Sequence, residues 1–111
     1  MIRIDAVWLA SQPLDMRAGI DSALARVIQV FGAAHPHTAY LFANLRANRM
    51  KVLVHDGIGF WLATRRLHCG HFVWPERRAA SQFTLTRAQL DALVLGLPWS
   101  RIAEGGIITV V

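Results

Sequence analysis

The spacing of apolar residues changes along the chain, and these changes predict its first two elements. Residues 4–10 form a mostly apolar run that is typical of a short strand. Over residues 16–31 apolar side chains recur every three or four positions, as at Ile20 and Leu24, which predicts one face of a helix. Asp15 is expected to cap this helix, because its carboxylate can accept hydrogen bonds from the free amides of the first turn.

A hairpin with a basic tip is predicted in the middle of the chain. Residues 40–43 and 51–55 are short runs rich in aromatic and β-branched side chains. The segment between them contains a polar turn, residues 46–49 (RANR). Two β-prone runs joined by a short polar turn are typical of antiparallel strands.

Further turn signals define the segments that follow this hairpin. Residues 56–59 (DGIG) predict a tight turn, which favours a strand rather than a helical turn over residues 60–66. A short strand is expected over residues 72–74, because Pro75 then ends the run. Residues 76–82 are predicted to be a linker.

A second helix is predicted over residues 87–95. Thr86 followed three residues later by Gln89 fits a capping box, in which each residue's side chain binds the other's backbone amide. The apolar residues Leu90 and Leu93 give this helix a face that can be buried.

The order of these elements predicts an α+β fold, with a small antiparallel sheet of about four to five strands and two helices packed on it. The 111 residues fit a single domain, residues 1–111, with an ordered core over about 4–99. The tail, residues 101–111, contains two glycines and a β-prone end. An added strand and a disordered end remain alternatives for this tail.

Composition adds a charge imbalance to this picture. Twelve Lys and Arg, eleven of them Arg, face seven Asp and Glu, which gives a formal net charge of +5. Guanidinium groups make forked hydrogen bonds to phosphate, so this charge suits a nucleic-acid partner. On charge alone, a basic protein that binds no nucleic acid is an equally good alternative. Hydrophobic residues make up 54% of the chain and charged residues only 17%. This excess favours burial of apolar surface in another protein or in a second copy of the chain.

The sequence also indicates a cellular compartment. Cys69 is the single cysteine, so no internal disulfide can form and a reducing compartment is expected. Asp5 lies where a signal peptide would be apolar. The longest uncharged run, residues 27–45, is interrupted by Pro36 and does not predict a membrane-spanning helix. We therefore expect a cytoplasmic protein without a membrane partner.

Two clusters of cations are the candidate nucleic-acid contacts, and neither needs to read base sequence in order to bind backbone phosphates. The candidate residues are Arg46, Arg49, Lys51, Arg65 and Arg66. Trp61 and Trp74 lie near them in sequence and raise the alternative of stacking on bases. A position in the hydrophobic core is the favoured interpretation of both tryptophans.

No catalytic, metal or cofactor site is expected. The carboxylates are scattered along the chain, whereas metal-dependent phosphoryl transfer needs two or three that converge. His68, Cys69 and His71 are too crowded for a typical tetrahedral zinc site, and no spaced pair completes them. We expect a protein that is not an enzyme, and a small metal-dependent nuclease is the least favoured alternative.

Five short strings stand out along the chain. They are residues 15–21 (DMRAGID), 51–59 (KVLVHDGIG), 64–67 (TRRL), 72–75 (FVWP) and 85–90 (LTRAQL) with 96–99 (GLPW). In the same order, they resemble strings of the TnpB accessory proteins of the IS66 insertion-sequence family. Together they cover nearly the whole chain. The chain departs from the commoner family pattern at Ala18, where a basic residue is frequent.

This resemblance implies a role in transposition. Family members are encoded by the second open reading frame of a three-gene element, and a separate, much larger transposase supplies the acidic catalytic residues. The expected function is an accessory protein that binds nucleic acid, the transposase or both, without cleaving strands. The alternative is a protein–protein interaction module that docks the transposase with no nucleic-acid contact. The expected partners are DNA, the transposase and the other accessory protein, and a homo-oligomer is compatible with this interpretation.

Overall fold

The computed structural model describes residues 2–76 and 80–101. The described residues form β1 (Ala6–Ala10), α1 (Ile20–Phe31), β2 (Thr38–Ala43), β3 (Arg49–His55), β4 (Phe60–Arg66), β5 (Gln82–Leu85), α2 (Arg87–Val94) and a 3₁₀ turn (Trp99–Arg101). This is the predicted α+β class. The predicted tail lies outside the described residues from position 102 onward.

The five strands form one sheet in the order β4-β3-β2-β1-β5. β1 and β2 are parallel, and the other three pairs of neighbours are antiparallel. The prediction of an antiparallel sheet was therefore wrong for one pair. The reason is that α1 carries the chain back along the sheet, so that β2 enters beside β1 in the same direction.

One helix covers each face of the sheet. On the face covered by α1, called here the α1 face, Tyr40, Phe42 and Leu53 are buried with Ala23 and Val27 of the helix. Successive side chains of a strand point to opposite faces, so the intervening strand residues point to the other side.

The second core lies on this opposite face, called here the α2 face. Leu9, Leu41 and Met50 of the sheet pack there with Leu90 and Leu93 of α2. The predicted capping box begins this helix: Thr86 Oγ1 accepts from Gln89 N–H at 3.1 Å, and Gln89 Oε1 accepts from Thr86 N–H at 2.8 Å. That part of the prediction is confirmed.

The start predicted for α1 was wrong. The helix begins at Ile20 and not at residue 16, and its N-cap is Gly19, which offers no side chain. Asp15 forms a separate turn before the helix, because its carboxylate accepts from the backbone N–H of Arg17 at 2.9 Å and from the Arg17 guanidinium at 2.7 Å.

The strand predicted over residues 72–74 is absent from the described structure, and β5 forms in its place ten residues later. The 72–74 run is instead held by single contacts. Phe72 is buried and its N–H donates to Ala47 O at 2.7 Å, whereas the indole of Trp74 donates to Ala10 O at 2.9 Å. Phe72 and Trp74 thus cover the core without joining the sheet. Trp74 is half-buried against the α2-face core, as expected for a core-packed side chain.

Candidate functional site

The tip of the β2–β3 hairpin is shaped by a neutral amide. Asn44 Oδ1 accepts from the backbone N–H groups of Asn48 and Arg49, both at 3.1 Å. Asn44 Nδ2 donates to Asn48 Oδ1 at 2.7 Å. The side chains that close this loop are therefore uncharged, and its arginine side chains take no part in holding the turn.

The segment after β4 braces the same tip from one side. His71 Nδ1 lies 2.7 Å from Arg46 O, and Phe72 N–H donates to Ala47 O at 2.7 Å. Ala47 itself adopts a φ of 56°, a left-handed conformation that is uncommon for a residue with a Cβ atom. These backbone contacts fix the loop and leave the Arg46 side chain exposed.

Arg49 and Arg66 lie directly opposite one another on β3 and β4, and both are exposed. The adjacent rung is hydrogen-bonded, because Leu67 N–H donates to Asn48 O at 3.2 Å. Rungs alternate in type, so the Arg49–Arg66 rung is the closer kind, with Cα atoms about 4.5 Å apart. Like charges placed in this way repel each other.

No acidic side chain among the described residues relieves this repulsion. The described ion pairs join Arg3 to Asp5, Arg17 to Asp15 and Arg87 to Asp91. Three guanidiniums without a partner among the described residues therefore lie at one end of the β2–β3–β4 hairpins. We call Arg46, Arg49 and Arg66 the basic end.

Arg65 does not belong to the basic end, although it is next to Arg66 in sequence. It lies opposite Met50, which is buried in the α2-face core, so its side chain projects from the α2 face. Its Nε donates to Val94 O at 2.6 Å, where α2 ends. A cation there satisfies a free helix carbonyl and complements the helix dipole.

Lys51 is also separated from the basic end, by burial. Its exposed fraction is 8%, and its ammonium donates to Ala18 O at 2.6 Å. The charge thus holds the segment that leads into α1. Of the five predicted contact residues, the structure brings three together at an exposed end, and it places Arg65 on the other face and Lys51 in the interior.

The prediction that Trp61 lies in the core was wrong. Its side chain is 53% exposed on the α2 face, and its indole donates to Asp56 Oδ2 at 2.8 Å. It is on the side of the sheet opposite to Arg49 and Arg66, because it faces Val54 of the α2-face core across the β3–β4 ladder. Stacking on bases held by the basic end is therefore not supported by this geometry.

The DGIG string forms the turn between β3 and β4, and the Asp56 side chain holds it. Its Oδ1 accepts from the backbone N–H groups of Gly59 at 2.7 Å and Ile58 at 2.8 Å. These amides, together with the indole of Trp61, lower the pKa of Asp56 from 3.8 to about 2. The carboxylate is fully used by its own turn.

Within residues 2–76 and 80–101, no group of three or more His, Cys, Asp and Glu side chains is placed to hold a metal ion. No helix within these ranges has the length and apolarity to cross a membrane.

Comparison with known proteins decides the family. The family described as IS66 Orf2 like protein matches residues 5–104 of the chain. The chain belongs to this family. The resemblance noted in the sequence is thereby confirmed, and membership of the IS66 Orf2-like family gives the protein an accessory role in transposition.

Two relatives come from Sinorhizobium fredii (strain NBRC 101917 / NGR234). Uncharacterized protein y4hO is 35% identical over 100 residues, which cover 88% of this chain and 85% of the relative. Uncharacterized protein y4jC is 29% identical over 98 residues, which cover 86% of this chain and 82% of the relative. No solved structure matches this IS66 Orf2-like chain.

Proposed function

We propose that this chain assists transposition by holding DNA through its backbone phosphates at the basic end, while the separate transposase cleaves and joins the strands. The observation that carries the proposal is the rung at which Arg49 faces Arg66 with no acidic partner among the described residues. Arg46 extends the same end of the hairpin.

The chemistry of this end fits a phosphate chain better than it fits a base edge. A phosphate placed between two neighbouring guanidiniums removes their mutual repulsion and accepts forked hydrogen bonds from both. Contacts of this kind fix the position of a duplex without reading its sequence. Three contacts also set the expected salt dependence, because each neutralised phosphate contributes about 0.9 to the slope of log K against log salt concentration.

A charge-matched pair of variants tests the proposal. The first replaces the basic end, Arg46→Gln, Arg49→Gln and Arg66→Gln. The control replaces three arginines that lie in described ion pairs, Arg3→Gln, Arg17→Gln and Arg87→Gln. Each triple variant lowers the formal net charge from +5 to +2, because three cations are lost in both. Any difference in DNA affinity therefore reports position and not total charge.

The measurement is fluorescence anisotropy of a labelled duplex at several salt concentrations. The basic-end variant should lose roughly 2–3 units of the salt slope, and the control should keep most of it. Equal losses in the two variants would show that the basic end is not the DNA surface. Circular dichroism of both proteins establishes that neither result comes from unfolding.

A second candidate function is docking of the transposase without nucleic acid. The observation that favours it is the number of apolar side chains left in solvent, such as Ile58 at 98% and Leu95 at 62% exposure. Retention of the transposase on this protein in a nuclease-treated extract separates the two candidates. Capture that survives nuclease and also survives loss of the basic end supports docking, and capture that needs DNA supports the first proposal.

A further inference from the structure

β4 is the outer strand of the sheet, and among residues 2–76 and 80–101 no strand pairs with its long outer edge. It runs for seven residues and carries no proline. Asp56 N–H donates to Gly59 O at 3.1 Å and Leu67 N–H donates to Asn48 O at 3.2 Å, so hydrogen-bonded rungs fall on the odd positions of β4. The backbone groups of residues 60, 62, 64 and 66 therefore point away from the sheet. A free edge of this kind is a template for another strand.

The flank of α1 above this edge is also left uncovered by the part of the chain that the structure describes. Arg26 lies on the opposite flank of α1, which faces β1 and β5. Its guanidinium donates to Pro13 O at 3.2 Å, and the residue lines a cavity with Ser81. In a helix of about 3.6 residues per turn, Ile20 and Ile28 lie on the other flank, towards β4. Their side chains are 42% and 50% exposed.

We infer that two copies of this chain pair through antiparallel β4 strands, forming a two-fold dimer with one continuous sheet. The pairing centres on Ala63, so that Leu62 of each copy faces Thr64 of the other and all seven residues of β4 are matched. The outward backbone groups then lie on hydrogen-bonded rungs of the new ladder. The inference does not depend on the proposed DNA contact.

Charge is what favours a second copy as the occupant. In this register Arg65 faces Trp61 of the other copy on the α2 face, and Arg66 faces Phe60 on the α1 face. No arginine faces an arginine. The exposed Arg66 guanidinium meets an aromatic ring, a favourable cation–π arrangement, whereas the Arg65 guanidinium keeps its bond to Val94 O. The strand is thus complementary to itself.

The same symmetry accounts for the exposed flank of α1. A two-fold axis perpendicular to the sheet keeps both α1 helices on one side of it. The flanks that carry Ile20 and Ile28 then face each other across the seam, above Leu62 of both copies. One partner therefore covers two features, an open strand edge and an apolar helix flank.

Thr64→Pro tests the pairing, and the chain offers a matched control. Thr64 is exposed and its N–H points outward, so proline there removes a bond from the new ladder and none from the β3–β4 ladder. Thr84 on β5 is also exposed, and its N–H also points outward, because the Ser11–Ser81 rung is hydrogen-bonded at 3.1 Å. Thr84→Pro is therefore the same change on the opposite edge.

Analytical ultracentrifugation of the full chain gives the readout. Wild type and Thr84→Pro should sediment with twice the 12.4 kDa mass of one chain. Thr64→Pro should raise the dimer dissociation constant at least about tenfold, since symmetry removes two hydrogen bonds. A monomeric wild-type protein overturns the inference, as does a Thr64→Pro dimer as stable as the wild type.

A cross-link provides a test that does not require a destabilised strand. In a Cys69→Ser background, Ala63→Cys places two thiols across the two-fold axis on a rung with short Cβ separation. Oxidation should give a covalent dimer. The control, Thr84→Cys in the same background, should remain largely monomeric on a denaturing gel. Equal cross-linking of the two variants contradicts the inference.

Discussion

The two turns at opposite ends of β3 use charge in different ways. In the turn between β3 and β4, the Asp56 carboxylate accepts from two backbone amides and one indole. In the turn between β2 and β3, the neutral Asn44 amide makes the corresponding bonds. The arginines at that second end therefore have no described acidic partner, whereas the acid at the first end is fully engaged.

A clear family string therefore need not mark a binding site. The DGIG string is such a motif, but its carboxylate already accepts hydrogen bonds from two amides and an indole of its own turn. The basic end is weaker as a motif, yet its charges remain available for a ligand. Charges without a partner among the described residues are therefore better candidates for a ligand contact than charges already bonded within the fold.

Gly57→Ala should lower the stability of the fold more than any other change proposed here, because it strains the turn between β3 and β4. Gly57 has a φ of +93°, and an added Cβ would lie 3.2 Å from the His37 ring. The backbone strain alone should cost about 1–2 kcal/mol of unfolding free energy, measured by urea denaturation. Gly59→Ala is the control, since its Cβ would meet nothing within 4 Å. Equal losses in the two variants would contradict this account of the turn.

Asp56→Asn should have a smaller effect that depends on pH. The folded chain lowers the pKa of Asp56 from 3.8 to about 2, so the charged form stabilises the fold above pH 3.8. This contribution is lost as the pH falls through 3.8 towards 2. The Tm of the variant should therefore be lower near neutral pH and should fall less than that of the wild type on acidification. Parallel Tm profiles for the two proteins would show that the carboxylate does not hold the turn.

Arg66→Gln and Arg65→Gln should differ by a small amount in the salt slope of DNA binding. The comparison tests whether DNA binds at the basic end or on the α2 face. Arg66 faces Arg49, so its loss should reduce the salt slope of DNA binding by about 1. Arg65 donates to Val94 O on the other face, so its loss should leave the salt slope unchanged and lower the Tm slightly. If the α2 face bound the DNA, Arg65→Gln would reduce the salt slope and Arg66→Gln would not.

Local sequence signals predicted much of this fold. The Asp-Gly turn predicted β4, and Thr86 with Gln89 predicted the start of α2, because both depend on contacts within a few residues. The parallel pairing of β1 with β2 was missed because it depends on the path of α1 across the sheet. β5 was missed because its four residues form a strand only beside β1.

The basic end was predictable in part. Strand alternation alone puts Arg65 and Arg66 on opposite faces, so that signal was present in the sequence. The burial of Lys51 could not be predicted in this way, because strand alternation places Lys51 on the same face as the exposed Arg49. It is the carbonyl of Ala18, a residue 33 positions away in sequence, that binds its ammonium.

NMR of the arginine side chains during a DNA titration shows whether the basic end binds DNA. In NMR spectra that resolve the Nε–H groups, a short duplex should shift the signals of Arg46, Arg49 and Arg66 first. The signals of Arg3, Arg17 and Arg87, which lie in ion pairs, should move much less. Shifts centred on Arg65 and Trp61, or an even response across all arginines, would contradict the claim that the unpartnered end of the hairpins binds DNA.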